Sequence, residues 1–192
     1  MANTNTPRGF VPVRAVTGQP YDGALSTYRI LPAYATAIYQ GDVIKFLTTG
    51  YINKAAANDQ MRGVFIGCQY VQADGTVKSL NYYPGTVTTL GSQPVNAFVV
   101  DDPNMMFEAQ FTNSTSVPAI ADLGASFQNY DAGGSTFTGL SGMGLDYSTL
   151  NTTLQQWRVV DFVPRGDNDL TSAYSRALCT PLSHDYRTQL AI

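Results

Sequence analysis

Three observations predict an all-β chain: an antiparallel β-sandwich or barrel-like body with extended N- and C-terminal arms and at most one or two short helices. First, the polar positions are filled by Thr, Ser, Asn and Gln; Glu108 is the only glutamate, and Lys45, Lys54 and Lys78 are the only lysines. Helix surfaces draw on Glu and Lys as good formers and i,i+4 partners, whereas the residues used here suit strands and turns. Second, short alternating or apolar runs are separated by Gly, Pro, Asn and Asp, the pattern of a sandwich or barrel. Third, 192 residues with 44% hydrophobic content are enough for one well-packed core and short for two.

The elements follow in order. Residues 1–20 read as an extended arm, because Pro7, Gly9, Pro12, Gly18 and Pro20 interrupt any helix and disfavour a central strand. Phe10, Val11, Val13 and Val16 alternate there with Arg8 and Arg14, a composition that must bury something on its own body or on a neighbour. Fully extended, the arm reaches roughly 65 Å. Residues 21–180 form the body. Thr27 to Leu31 and Val43 to Leu47 are strands. Val64, Ile66, Cys68 and Tyr70 fall on one face at period two, and Asp74-Gly75 then turns the chain into Thr76 to Tyr83 as a hairpin.

Asn96 to Val100 is an apolar strand stopped by Asp101-Asp102-Pro103. The next run sets Met105, Phe107, Ala109 and Phe111 toward a core and Met106, Glu108 and Gln110 toward solvent. Pro118 to Leu123 suits one helical turn closed by Gly124. Leu150, Leu154 and Trp157 have helical spacing, but Asn151-Thr152-Thr153 is a weak helix former. Trp157 to Val163 is a late strand, Pro164 to Asp169 a turn, and Thr171 to Leu178 a last strand. Residues 181–192 form a second arm.

Charge narrows the partners. A formal net charge of -3 and a pI near 4.9 speak against neutralising phosphates or anionic lipid, so neither nucleic acid nor membrane is expected. No apolar run approaches the roughly 20 residues that span a bilayer, and the N-terminus carries no secretory pattern. Cys68 and Cys179 read as buried free thiols, with a single disulfide the alternative.

Motifs for catalysis are weak. His184 is the only histidine, so sites needing several imidazoles are excluded within one chain. Ser183-His184-Asp185 spells a triad, yet consecutive side chains on an extended chain point to opposite sides and cannot fill its roles. Gly139-Leu140-Ser141-Gly142-Met143 approaches a nucleophile elbow but has Met143 where the second glycine belongs, and a glycine-rich loop is the simpler reading. Asp167-Asn168-Asp169 reads as a turn, not a cation loop. Arg165-Gly166-Asp167 matches an adhesion tripeptide in letters only, and Asn113-Ser114-Thr115 and Asn151-Thr152-Thr153 are glycosylation sequons without a secretory context. No catalytic residue, cofactor or metal is expected. Twelve tyrosines, nine phenylalanines and one tryptophan instead suit a protein that binds others. Tyr82-Tyr83-Pro84, Tyr28 and Tyr34 are expected as surface anchors.

Five segments together resemble a known family: Gly9-Phe10-Val11-Pro12-Val13-Arg14; Val64-Phe65-Ile66-Gly67-Cys68-Gln69-Tyr70; Ala97-Phe98-Val99-Val100-Asp101-Asp102-Pro103; Thr138-Gly139-Leu140-Ser141-Gly142-Met143-Gly144-Leu145-Asp146; and His184-Asp185-Tyr186-Arg187. The chain resembles tailed-bacteriophage virion proteins, the head decoration or cement proteins encoded beside the major capsid protein. The resemblance implies a β-rich protein on the outer capsid surface that links neighbouring capsid subunits. Its implied partners are the major capsid protein and further copies of itself, a trimer being favoured. Arg8, Phe10, Val11 and Arg14 are the expected capsid or neighbour contacts, with Tyr186 and Arg187 second. Arg8 and Arg14 could equally pair with aspartates of the same body. A tail or fibre component, or a glycan-binding β-sandwich, is the alternative.

Overall fold

The computed structural model describes residues 2–151 and 155–187. It contains twelve strands: β1 (Val11–Ala15), β2 (Ser26–Ile30), β3 (Val43–Phe46), β4 (Ile52–Lys54), β5 (Gly63–Val71), β6 (Val77–Leu80), β7 (Val95–Val100), β8 (Met105–Thr112), β9 (Ser126–Gly134), β10 (Ser141–Asn151), β11 (Trp157–Phe162) and β12 (Arg176–Pro181). The helical content among the described residues is two short 3-10 turns, Leu90–Ser92 and Ile120–Asp122. The second lies where the sequence places a helical turn, with Gly124 at φ +85° behind it.

The strands make two sheets. In the first, β8 pairs with β10, β10 with β9, β9 with β11, β11 with β12, and β12 again with β8, which closes a five-stranded ring. β1 adds to the first half of β8, Val11 opposite Glu108 and Ala15 opposite Met105, while β10 meets β8 only at Phe111 and Thr112. Closure removes exposed edges from these strands. The ring is filled by Phe107, Ala109 and Phe111 of β8, Phe127 of β9, Met143 and Leu145 of β10, Trp157 and Val159 of β11, and Ala177 and Cys179 of β12, each at most 2% exposed.

The second sheet has the order β2-β7-β5-β3-β4, with β6 pairing β5. One of its faces contributes Val43, Met61, Val64 and Val100 to the barrel core; the other holds Ile30, Ile44, Ile52, Phe65, Cys68, Val95 and Val99 in a separate cluster. Tyr83 roofs that second cluster: its ring is fully buried and its hydroxyl donates toward the carbonyls of Pro32 and Tyr34 at 2.9 and 2.8 Å.

Several sequence expectations need correction. The period-two face of β5 breaks at a bulge between Phe65 and Gly67, so Val64 and Ile66 face the barrel whereas Cys68 and Tyr70 face the other cluster. Met106 and Gln110 are not on a solvent face but 2% and 5% exposed. The Gln110 amide is covered by the N-terminal residues: Thr6 N–H donates to Oε1 at 2.9 Å, and Nε2 donates to Thr4 O and Tyr174 O at 2.8 Å each. The Ser141-Gly142-Met143-Gly144 stretch is strand, not loop. Its glycines are required because a Cβ on Gly144 would stand 2.5 Å from Gln110 O, where the barrel closes. Thr171 to Ser175 is turn, and the last strand begins at Arg176. Leu150 ends within β10 and Trp157 opens β11; Leu154 lies outside the described residues, as do residues 188–192 of the expected C-terminal arm.

The N-terminal segment is extended but laid on its own body. Gly9 and Gly41, at φ +75° and +95°, approach so closely that a Cβ on Gly9 would stand 2.6 Å from the Gly41 backbone. That approach lets Phe10 N–H reach Gly41 O at 2.9 Å and puts the Phe10 ring flat on Trp157, centroids 4.1 Å apart.

Candidate interaction surfaces

The six residues expected at a partner interface separate into three fates. Phe10 is corrected first: at 1% exposure, stacked on Trp157, it is part of the barrel core and cannot touch a partner. Aromatic rings bury enough area that a Phe beside an open barrel end is drawn inward.

Arg8 and Val11 are on the surface and share a cleft with Glu108, Gln110, Arg165 and Arg176. Val11 is 46%, Val13 37% and Val16 52% exposed, the first two on β1 and Val16 in the turn after it. In that cleft Arg165 grips Glu108 with two nitrogens, at 2.9 and 3.1 Å, and Arg176 adds a third contact at 3.1 Å. Arg8 makes no ion pair among the described residues, and neither does half-buried Arg14. The sole glutamate is thus already doubly neutralised, and Arg8 remains as surplus positive charge at the rim.

Tyr186 and Arg187 are exposed but engaged. Arg62 lies sandwiched by aromatic rings, 3.9 Å from the Tyr186 centroid, 4.8 Å from Phe46 and 5.0 Å from Tyr28. Its guanidinium also donates to the hydroxyls of Tyr28, at 2.6 and 2.9 Å, and of Tyr186. Tyr28 in turn donates to Asp101 at 2.5 Å; burial and that carboxylate hold its phenol well above the ordinary value. Arg187 donates to Pro181 O at 2.7 Å and to Asn104 Oδ1 at 3.0 Å. Asn104 O also accepts Val16 N–H at 2.8 Å, so the two terminal segments meet at this residue.

His184 points inward, fully buried, and its Nδ1 accepts Tyr186 N–H at 3.1 Å. Burial foremost, with Arg62 adding repulsion, lowers its pKa to about 4, so the imidazole is neutral at pH 7. Met61 N–H donates to Ser183 O and Asp185 N–H to Met61 O, which pins this tripeptide beside Met61 as a bridge between barrel and second sheet.

The other buried charges also hold the two sheets together. Fully buried Asp42 accepts from Ser141 at 2.5 Å and from Tyr39 N–H at 2.8 Å, and pairs with Lys54 at 3.1 Å; Lys54 reaches Asp131 at 2.8 Å. Burial raises Asp42, while for Lys54 burial pulls down and the two carboxylates outweigh it. Cys68 and Cys179 are buried free thiols; burial raises both, Cys68 to about 12. Among the described residues there is no cluster of three or more His, Cys, Asp or Glu side chains that could hold a metal ion.

Of the aromatics expected as surface anchors, Tyr83 is the one the fold removes from the surface. Tyr83 is buried, Tyr28 and Tyr34 are half-buried, and Tyr82 is half-buried and stacks on Tyr39 at 5.8 Å. The aromatic that sequence reasoning missed is Phe137, 98% exposed at the tip of the β9–β10 hairpin. The signal was present: a lone Phe in Gly133-Gly134-Ser135-Thr136-Phe137-Thr138-Gly139 has no apolar partner at strand spacing. The tip is also locked, with Gly139 N–H on Ser135 O at 2.7 Å, Gln40 N–H on Gly139 O at 2.9 Å and Asn81 on Thr138 O at 2.9 Å.

No family model, no curated protein and no solved structure matches this chain.

Proposed function

We propose that this chain is a virion structural protein without catalytic activity or cofactor, which binds the outer surface of a phage capsid and links neighbouring capsid subunits. The resemblance of five sequence segments to head decoration proteins motivates the reading. The observation that carries it furthest is the surface of β1 and the turn after it: Val11 and Val13 on the strand and Val16 just beyond it are exposed, and Arg8 and Arg14 make no ion pair among the described residues. A surface already held by a barrel loses little conformational entropy on docking, so modest contacts give useful affinity. A protein that binds the assembled shell and not its free subunits stabilises the shell by mass action.

The test mixes the purified protein with capsids assembled without it and measures co-sedimentation and the heat-induced rupture temperature. Saturable binding that raises the rupture temperature is expected, with Arg8→Glu combined with Val11→Asp weakening it. Truncation of residues 1–18 is unsuitable, since it takes Phe10 off Trp157 and opens the barrel. Absence of binding to a mature shell overturns the reading and favours a tail or fibre component.

A further inference from the structure

We propose that Phe137 is the knob of a head-to-tail contact between copies of this chain, its socket being the cleft between residues 15–26 and 100–105 of the next copy. The knob is the most exposed apolar side chain of the molecule's described residues, and it stands on a hairpin tip that its own backbone bonds hold rigid. A whole phenyl ring on a fixed support gains apolar burial when a partner covers it.

The socket is a cleft of about 250 Å³ whose apolar lining includes Pro20, Leu25, Val100 and Met105. Leu25 is 44% exposed there, so the socket too gains from being covered. Asp22 and Asp102 stand among its lining residues, each with one carboxylate oxygen on a local N–H, Ala24 for Asp22 and Asn104 for Asp102. Among the described residues their second oxygens accept no hydrogen bond. The tip supplies the complement: the N–H groups of Thr136 and Phe137 have no acceptor among the described residues, and the tip carries no charge that would repel a carboxylate. The cleft beside Arg8 is a poorer socket, because Arg8, Arg165 and Arg176 line it and offer further donors.

Knob and socket share no residue. The contact is therefore heterologous, each copy giving one knob and receiving another, and such contacts either close into a ring or run on as an open chain. This inference is independent of capsid binding and is tested without capsids.

At 98% exposure Phe137 supports no core packing among the described residues, which makes Phe137→Ala and Phe137→Trp clean probes. Sedimentation equilibrium of the full chain is expected to show a concentration-dependent oligomer, weakened at least about 30-fold by Phe137→Ala, as for an interface hot spot. Leu25→Asp is expected to do the same. Mixing those two variants is expected to give only a one-to-one pair, because one intact knob and one intact socket remain. In Phe137→Trp, tryptophan emission is expected to move to the blue with concentration, and adding Leu25→Asp is expected to abolish the movement. A chain that stays monomeric at every soluble concentration, or an oligomer indifferent to both substitutions, overturns the proposal.

Discussion

The two terminal segments are held by different physics. The N-terminal one is held by apolar burial: Phe10 lies in the barrel on Trp157, and β1 pairs with β8 behind it. The C-terminal one is held by polar and cation–π contacts: Tyr186 on Arg62, Arg187 on Asn104 and Pro181, and the His184 bridge to Met61. Burial of a large ring couples a segment to the whole core, whereas contacts with polar tips couple it only to their partners. Loss of the first should therefore unfold the protein, and loss of the second should free a segment.

The sharpest way to break this contrast is Phe10→Ala. It should cost about 4 kcal/mol in urea unfolding, a large part of the roughly 5–15 kcal/mol that holds a domain together. A cost near zero would mean that the N-terminal segment is an accessory to the barrel. Next is pH. His184 is neutral in the fold with its pKa lowered to about 4, against 6.5 when unfolded. The unfolded chain takes up the proton first, so stability is full above about pH 6.5 and falls as pH drops toward 4, by up to about 3 kcal/mol. Asp42 and Asp185, raised by burial, act in the opposite sense as pH falls, since there the folded chain takes up the proton first. Urea midpoints across that range should slope down on the acid side, and the slope should flatten in His184→Gln.

Arg62→Ala should cost about 2 kcal/mol, the worth of a desolvated cation–π contact. Hydrogen exchange should localise the loss: the Asp185 and Arg187 amides, bonded to Met61 and His184 carbonyls, should lose protection while β8 and β12 keep theirs. Equal loss in the barrel would erase the distinction between the segments. The smallest effect is Arg8→Glu, expected within about 0.5 kcal/mol of the parent in thermal unfolding, because the side chain is exposed and unpaired.

Local chemistry was legible where one residue decides the outcome alone. Asp74-Gly75 makes the β5–β6 turn, with Gly75 at φ +86° and Asp74 accepting Thr76 N–H at 2.8 Å. The alternation of Phe107, Ala109 and Phe111 faces the barrel core as their spacing requires. Where two segments far apart decide jointly, the reading failed. Gln110 looks like a solvent residue until Thr4 and Thr6 fold across it, and Phe10 looks like a contact residue until Trp157 arrives beneath it.

The amino-acid pattern by itself determined an all-β body, most strand positions, the buried thiols and the lack of a multi-histidine site, because periodicity, turn chemistry and inventory act within a few residues. Only the tertiary structure decided the barrel closure through β8 and β12, the β5 bulge that exchanges faces, and which aromatics remain outside. Those outcomes depend on which strand edge meets which over long separations, more than 60 residues of chain for β8 and β12, and on which side chain fills the last space in a core. Phe137 was left over from that competition, fully exposed on a rigid tip.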